Sequence, residues 1–411
     1  MTNSILVSGR RIPPYFFPVL ATLIVAGSLF FSGIYSHGAG KDIDARFFYA
    51  AAKCWASGSS PYQPEVYDAV FRSIFGSAPE ALFVAYLPTL MLVVMPMAAF
   101  DWTHAKELFA LMNFGAAMVL YWACYRLVRE LVGAALRPKH WLWIVLGSTI
   151  GGIAGTLFTG QTSVFVTAAC AVALVGCRLQ RSWLTVIGLV VASAKPHLSG
   201  PLLLFIVVFE PTQRRAVAIA VAIVAVIFGY AAAVDPDLLR SYIDSIRIYG
   251  SLATNDPSKQ VGFAALLTRF GVEQKIAGIY GAVALASLLG FIGWYVWSSR
   301  RALTQLPLAV MLLVLSIGLA RSIQGYDLCC YAIAIALLAT VEFRFQMALL
   351  MPAAIVWRPV LVVPRNSLPE VHNLAATLAW LALVVATVVM AGRAMRRHHR
   401  RDVDAVNLDT C

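Results

Sequence analysis

Helix-length apolar runs recur along the whole chain, and nothing else in the sequence constrains its fold as strongly. The first is Tyr15 to Ser36. Others cover about 105–128, 142–158, 161–177, 215–234, 275–297, 305–322, 326–341, 346–363 and 371–392. A bilayer core of roughly 30 Å takes about 20 apolar residues per helical crossing. Of the 411 residues, 60% are hydrophobic and 13% are charged. Soluble domains run near one half and one quarter, and a soluble fold of this length cannot hide so much apolar side chain. A soluble enzyme, a secreted soluble protein and a disordered chain are therefore excluded. The expected fold class is an all-α polytopic membrane protein. Tyr15–Ser36 is too long for a signal-peptide core and reads as a retained helix.

The net charge of +12 belongs to topology rather than to nucleic acid. Basic residues sit in short loops between apolar runs, the usual mark of the cytoplasmic side. Arg126, Arg129, Arg137, Lys139, Arg178, Arg181, Arg214, Arg215, Arg300 and Arg301 go there, with the tail Arg393, Arg396, Arg397, Arg400 and Arg401. These places agree with a cytoplasmic N-terminus if 81–100, which holds Pro88 and Pro96, re-enters without crossing. The result is about twelve crossings with both termini cytoplasmic. The cytoplasmic side then carries 18 Lys/Arg against 6 Asp/Glu, and the other side 14 against 14. One transmembrane domain is expected over 1–392, with a first outer loop at about 37–80 and a second at about 235–274. A basic cytoplasmic tail follows at 393–411.

Few polar residues need explaining. The first loop carries Asp42 and Asp44 just past the first membrane helix, and Ala45–Trp55 reads as an amphipathic, aromatic helix suited to the membrane interface. A carboxylate there is either a general base for a hydroxyl or an ordinary solvated loop residue. The 183–210 stretch is interrupted by Lys195-Pro196-His197 and reads as two short helices meeting at the break. A charged residue inside an apolar stretch usually faces a cavity or a partner. Lys195 either holds a phosphate as a point charge or snorkels from a helix end. Gln161 lies in a near-loopless turn, where it bonds either a ligand or neighbouring backbone. Arg321 and Asp327 either pair with each other or line a cleft. Of the histidines, only His197 neighbours another candidate. The seven cysteines show no CxxC or Cys/His metal spacing, so neither a structural disulfide nor a zinc site is expected. No P-loop, GxSxG or dinucleotide fingerprint occurs.

Five short motifs in order resemble glycosyltransferase family 87, a family of polytopic GT-C-fold transferases. Asp44-Ala45-Arg46-Phe47-Phe48-Tyr49 followed by Gly58 and Pro61-Tyr62 looks like its first-loop signature. Tyr86-Leu87-Pro88, Gly160-Gln161, Lys195-Pro196 and Tyr326-Asp327-Leu328 are similar to its later motifs, and the order holds from about residue 40 to 340. Two departures stand out. Leu87 replaces a proline, and Gln324 stands where the family often has a histidine.

The resemblance implies a GT-C-like bundle that moves a sugar from a polyprenyl-phosphate donor to a hydroxyl of a glycolipid or polysaccharide. Mannose is the leading sugar and arabinose the alternative. Asp44 would be the base of an inverting reaction, with Asp42 as the substitute. Lys195, then Arg321 and Arg46, would face the leaving phosphate. Gln161, Tyr62 and Tyr326, with His197, Gln324 and Asp327 nearby, would contact substrate. No cofactor and no metal is required by this chemistry. Membrane lipids are the other expected partners, and a bacterial inner membrane with a periplasmic active site is the expected location. The competing readings are a transporter or flippase for a lipid or polyol, and a membrane scaffold without chemistry.

Overall fold

The computed structural model describes residues 6–7, 10–11, 15–31, 43–77, 84–133, 135–252, 256, 260–320, 323–357 and 369–409. Apart from one short pairing of Leu6–Val7 with Arg10–Arg11, the described chain is helical. Five segments are long and apolar enough to cross a bilayer alone: Trp102–Val132, Pro138–Thr159, Pro211–Val234, Gln274–Ser299 and Glu370–Arg397. Eight shorter apolar helices accompany them among the described residues, and each expected apolar run, over its described part, falls largely on helix. Large apolar side chains stand outward, such as Val226 at 73% and Trp297 at 76% exposure. A soluble monomer does not tolerate such a surface, whereas lipid covers it without penalty.

Three elements depart from the sequence reading. The 142–158 run is split into Pro138–Ser148 and Gly151–Thr159. The 326–341 run is wound largely as 3₁₀ helix, over Gly325–Tyr331 and Leu338–Thr340. The last helix runs from Pro369 to Asp409 and does not stop at 392, because neither Gly nor Pro follows Gly392 to break it. The Pro88–Ala99 stretch is a short apolar helix that opens at Pro88 and returns to 3₁₀ winding at Met95, beside Pro96.

The break at Lys195 forms as expected, and the reason is local. Ser182–Ala192 ends there, and Pro196 opens Pro196–Phe209. Pro196 has no N–H to offer the carbonyl of Ala192, four residues back. The Ser199 hydroxyl takes that place, at 2.8 Å from Ala192 O and 3.1 Å from Lys195 O. A freed carbonyl is thus satisfied inside an apolar bundle.

Glycines bring the chain segments of the site into contact. A Cβ on Gly152 would lie 2.3 Å from the Cys329 nitrogen, so the 325–331 segment rests on bare backbone. Gly160 has φ +71°, and its Cβ would lie 2.6 Å from the Ala45 Cβ. That contact sets the start of Ile43–Ala56 against the Gly160-Gln161 turn. Both loops also lock together at the same end. Ser60 donates to the buried Asp235 carboxylate at 2.7 Å, and Tyr230 donates to the Trp55 carbonyl at 3.1 Å. Gly160→Ala meets both a disfavoured φ and a clash, and costs about 1–3 kcal/mol. A clear drop in the thermal midpoint of the detergent-purified protein is the expected readout.

Candidate active site

Lys195 is the centre of the site. Its side chain is 2% exposed, and an unpaired ammonium at that depth would be very costly. Its three protons have three acceptors: Ser163 Oγ at 2.7 Å, Gln161 Oε1 at 3.2 Å and Asp327 Oδ1 at 3.4 Å. Ser163 in turn donates to Asp327 Oδ1 at 2.5 Å. The ammonium also lies 5.0 Å from the Tyr86 ring centre and 5.6 Å from that of Tyr326, within the range of cation–π attraction.

Gln161 lies between this cluster and Asp44. Its Oε1 accepts from Lys195 and, at 3.1 Å, from the Tyr86 hydroxyl. Asp44 is near enough for Gln161, Thr159 and the Lys195 charge to act on its carboxyl. Asp44 sits half-buried at the start of Ile43–Ala56. Burial pushes its carboxyl above the usual carboxylate range, while Gln161, the Lys195 charge and Thr159 act in the opposite direction. The apolar face of this helix is covered by protein. Tyr49 donates to the Phe100 carbonyl at 2.7 Å, and Lys53 to that of Ala98 at 2.8 Å.

A cavity of about 200 Å³ opens beside Lys195, walled by Tyr86, Tyr242, Tyr249 and Tyr326, with His197, Gln260 and Gln324 among its lining. Gln260 and Gln324 come together because Val261 and Ile323 pair their backbones at 2.8 and 2.9 Å. Leu238–Ser251 roofs the cavity with Tyr242, Ile246 and Tyr249, a spacing that keeps them on one helical face.

The structure thus gathers Lys195, His197, Gln324, Tyr326 and Asp327 at one cavity, with Gln161 bonded to Lys195 behind the lining and Asp44 beside Gln161, outside the lining. Tyr62 is buried behind it and donates to the Tyr86 carbonyl at 2.7 Å, holding the wall and not lining it. Arg46 is exposed, its guanidinium 5.5 Å from the Phe75 ring centre and outside the cavity lining. Asp42 and Arg321 lie outside the described residues. Sequence reasoning did not single out Ser163, Tyr242 or Tyr249. Only the 242/246/249 helical spacing, in a segment read as loop, carried a signal for the last two.

A paired ammonium and carboxylate beside a small aromatic cavity, within an apolar helical bundle, mark an integral membrane protein with a polar cavity. The family model of glycosyltransferase family 87 matches residues 83–322, more than half of the chain. The chain belongs to that family and is a glycosyltransferase. The match is narrower than the motif resemblance. It contains Gln161, Lys195 and His197 and leaves Asp44, Tyr62, Gln324, Tyr326 and Asp327 outside. Comparison with curated proteins and with solved structures returned no match.

The buried pair sets a stability test. Asp327→Leu leaves the Lys195 ammonium without its counter-charge and costs about 3–5 kcal/mol. Adding Lys195→Met removes the stranded charge and recovers most of that loss, as read by thermal unfolding of both variants.

Proposed function

We propose that this glycosyltransferase uses a polyprenyl-phosphate sugar, mannose before arabinose, and transfers it to a hydroxyl of a glycolipid or polysaccharide. The reaction belongs at the periplasmic face of a bacterial inner membrane, with both termini cytoplasmic. The bundle is GT-C-like, with about twelve crossings and Pro88–Ala99 as the re-entrant segment. The observation that carries this reading is the buried Lys195 ammonium, paired with Asp327 at the wall of a cavity of monosaccharide scale, with the carboxyl of Asp44 near enough to feel its charge.

The chemistry follows from the groups present. Asp44 takes the proton of the acceptor hydroxyl. The oxygen attacks the anomeric carbon, the carbon–oxygen bond to phosphate breaks, and the phosphate leaves with the electron pair. Attack opposite the leaving group inverts the centre. The leaving charge develops beside the Lys195 ammonium, a fixed cation in a water-poor site, where electrostatic stabilisation is largest. Tyrosine faces suit the C–H face of a sugar ring, and His197, Gln260 and Gln324 supply polar contacts.

Depth supports a lipid-borne donor. Pro196–Phe209 has 14 residues and rises roughly 21 Å, against about 30 Å of hydrocarbon. Lys195 is therefore recessed to a level that a lipid-anchored phosphate reaches. A transporter would place its polar site near the mid-plane between two related halves, whereas this cluster sits where helices end. Asp42 and Arg321 remain secondary candidates for base and phosphate contact.

The test is transfer from labelled polyprenyl-phosphate sugars in isolated membranes. Wild type consumes one donor, and Asp44→Asn at matched expression loses about 10²–10⁴ in rate. Transfer that survives Asp44→Asn removes the base assignment, and no transfer from any donor removes the donor assignment. Because burial raises the Asp44 carboxyl, transfer declines on acidification at a pH above the ordinary carboxylate range, as protonation removes the base. A pH–rate profile with no acid limb above that range contradicts the placement.

A further inference from the structure

We infer that Gln260 and Gln324 form a pair of adjacent amides that reads the hydroxyl pattern of the donor sugar and so selects which sugar is transferred. The inference rests on the proposed sugar-phosphate donor and deepens it. Its ground is geometric. Both residues line the cavity that Lys195 and Asp327 also border. They come from distant parts of the chain, and one short antiparallel bridge joins them. Val261 and Ile323 exchange both backbone hydrogen bonds, at 2.9 and 2.8 Å. Both of these side chains are buried in the core. Side chains alternate along a paired strand, so the flanking Gln260 and Gln324 face the other way, toward the cavity they line. In an antiparallel register they are also the next opposed pair, of the type whose side chains lie closest. The backbone is held on both sides. Arg269 donates from Nη2 to the Gln260 carbonyl at 2.9 Å. The Asp327 N–H donates to the Gln324 carbonyl at 2.9 Å, at the start of the 3₁₀ segment that carries Asp327 itself. The amide pair and the ion pair are therefore one turn apart on the same segment.

The two sets of groups suit different parts of one substrate. Lys195 is a point cation, suited to a phosphate. A primary amide carries two donors and an acceptor, and a sugar hydroxyl is itself both donor and acceptor. Two amides side by side therefore engage neighbouring hydroxyls in both senses, and being neutral they do not compete with Lys195 for the phosphate. A hydroxyl that is missing, or turned to the other face of the ring, forfeits those bonds. Such a loss discriminates between substrates more strongly than a change in apolar contact does. The tyrosine faces suit any sugar ring, so the choice between rings falls to the amides.

The test measures transfer by full-length protein from polyprenyl-phosphate mannose, or from the arabinose donor if wild type consumes that one. Forms of the same donor that each lack one hydroxyl are measured beside it. Gln260→Met and Gln324→Met match the side-chain length and remove the amide. With the complete sugar, kcat/KM falls about tenfold in each variant, the loss of a neutral hydrogen bond. For one deoxygenated donor per variant the difference from wild type disappears, because that bond is already missing from the substrate. Each result is a ratio of two donors within one variant, so it does not depend on how much protein folds. Gln324 is the less buried of the two, and Gln324→Met carries the test if Gln260→Met does not fold. A purely structural role lowers transfer from every donor by the same factor, and that outcome overturns the inference alone. A wild type that takes none of these donors overturns the proposed donor, and the inference with it.

Discussion

Everything at this site depends on how one buried ammonium is satisfied. An apolar bundle cannot hold Lys195 unless each of its protons has an acceptor, and the three acceptors come from distant parts of the chain: Gln161 and Ser163 from one helical turn, Asp327 from another. Meeting that requirement forces three elements together. The Pro196 break delivers the lysine, the Gly160 turn delivers the amide and the hydroxyl, and the glycine-lined Gly151–Thr159 helix lets the 325–331 segment settle close enough to deliver the carboxylate. The cavity forms where these three meet.

The same constraint explains the asymmetry of the bundle. The Lys195 cluster and its cavity lie at the end of the bundle that Leu238–Ser251 roofs. At the other end, Gln213 bonds Gln180 at 3.1 Å and accepts from Thr185 at 3.1 Å, while Glu210 accepts from the Thr304 backbone at 2.8 Å. These contacts tie short connections together among the basic residues Arg178, Arg181 and Arg214. Charge pattern and hydrogen-bond pattern thus assign different tasks to the two ends.

Much of this was legible in the sequence because bilayer physics leaves strong marks. Apolar run length gave the helices, and Lys195 stood out because a charge in an apolar stretch demands a reason. Pro196 marked the break for the same kind of reason. Gln161, Tyr326 and Asp327 were visible as polar residues at turns too short to be ordinary loops. Ser163 was not visible, since a serine at a helix start is explained equally well as a terminus residue. Tyr242 and Tyr249 were hidden because their helix, though amphipathic, is too polar overall to stand out as an apolar run. Arg46 illustrates the limit of motif reading: it is in register with the signature, yet the helix turns it outward onto Phe75. The 3₁₀ winding of Gly325–Tyr331 was hidden as well, because it answers close packing against Gly152 rather than any local propensity.

On the proposed reading, the Lys195 ammonium faces the phosphate of a sugar-phosphate donor in this cavity. This placement is tested most directly by calorimetric titration of the purified protein with a water-soluble mannosyl phosphate, beside Lys195→Met of confirmed fold. Wild type binds, and the variant binds about 10–100-fold more weakly, having lost a positive charge close to the phosphate. Equal affinity in the two proteins contradicts it.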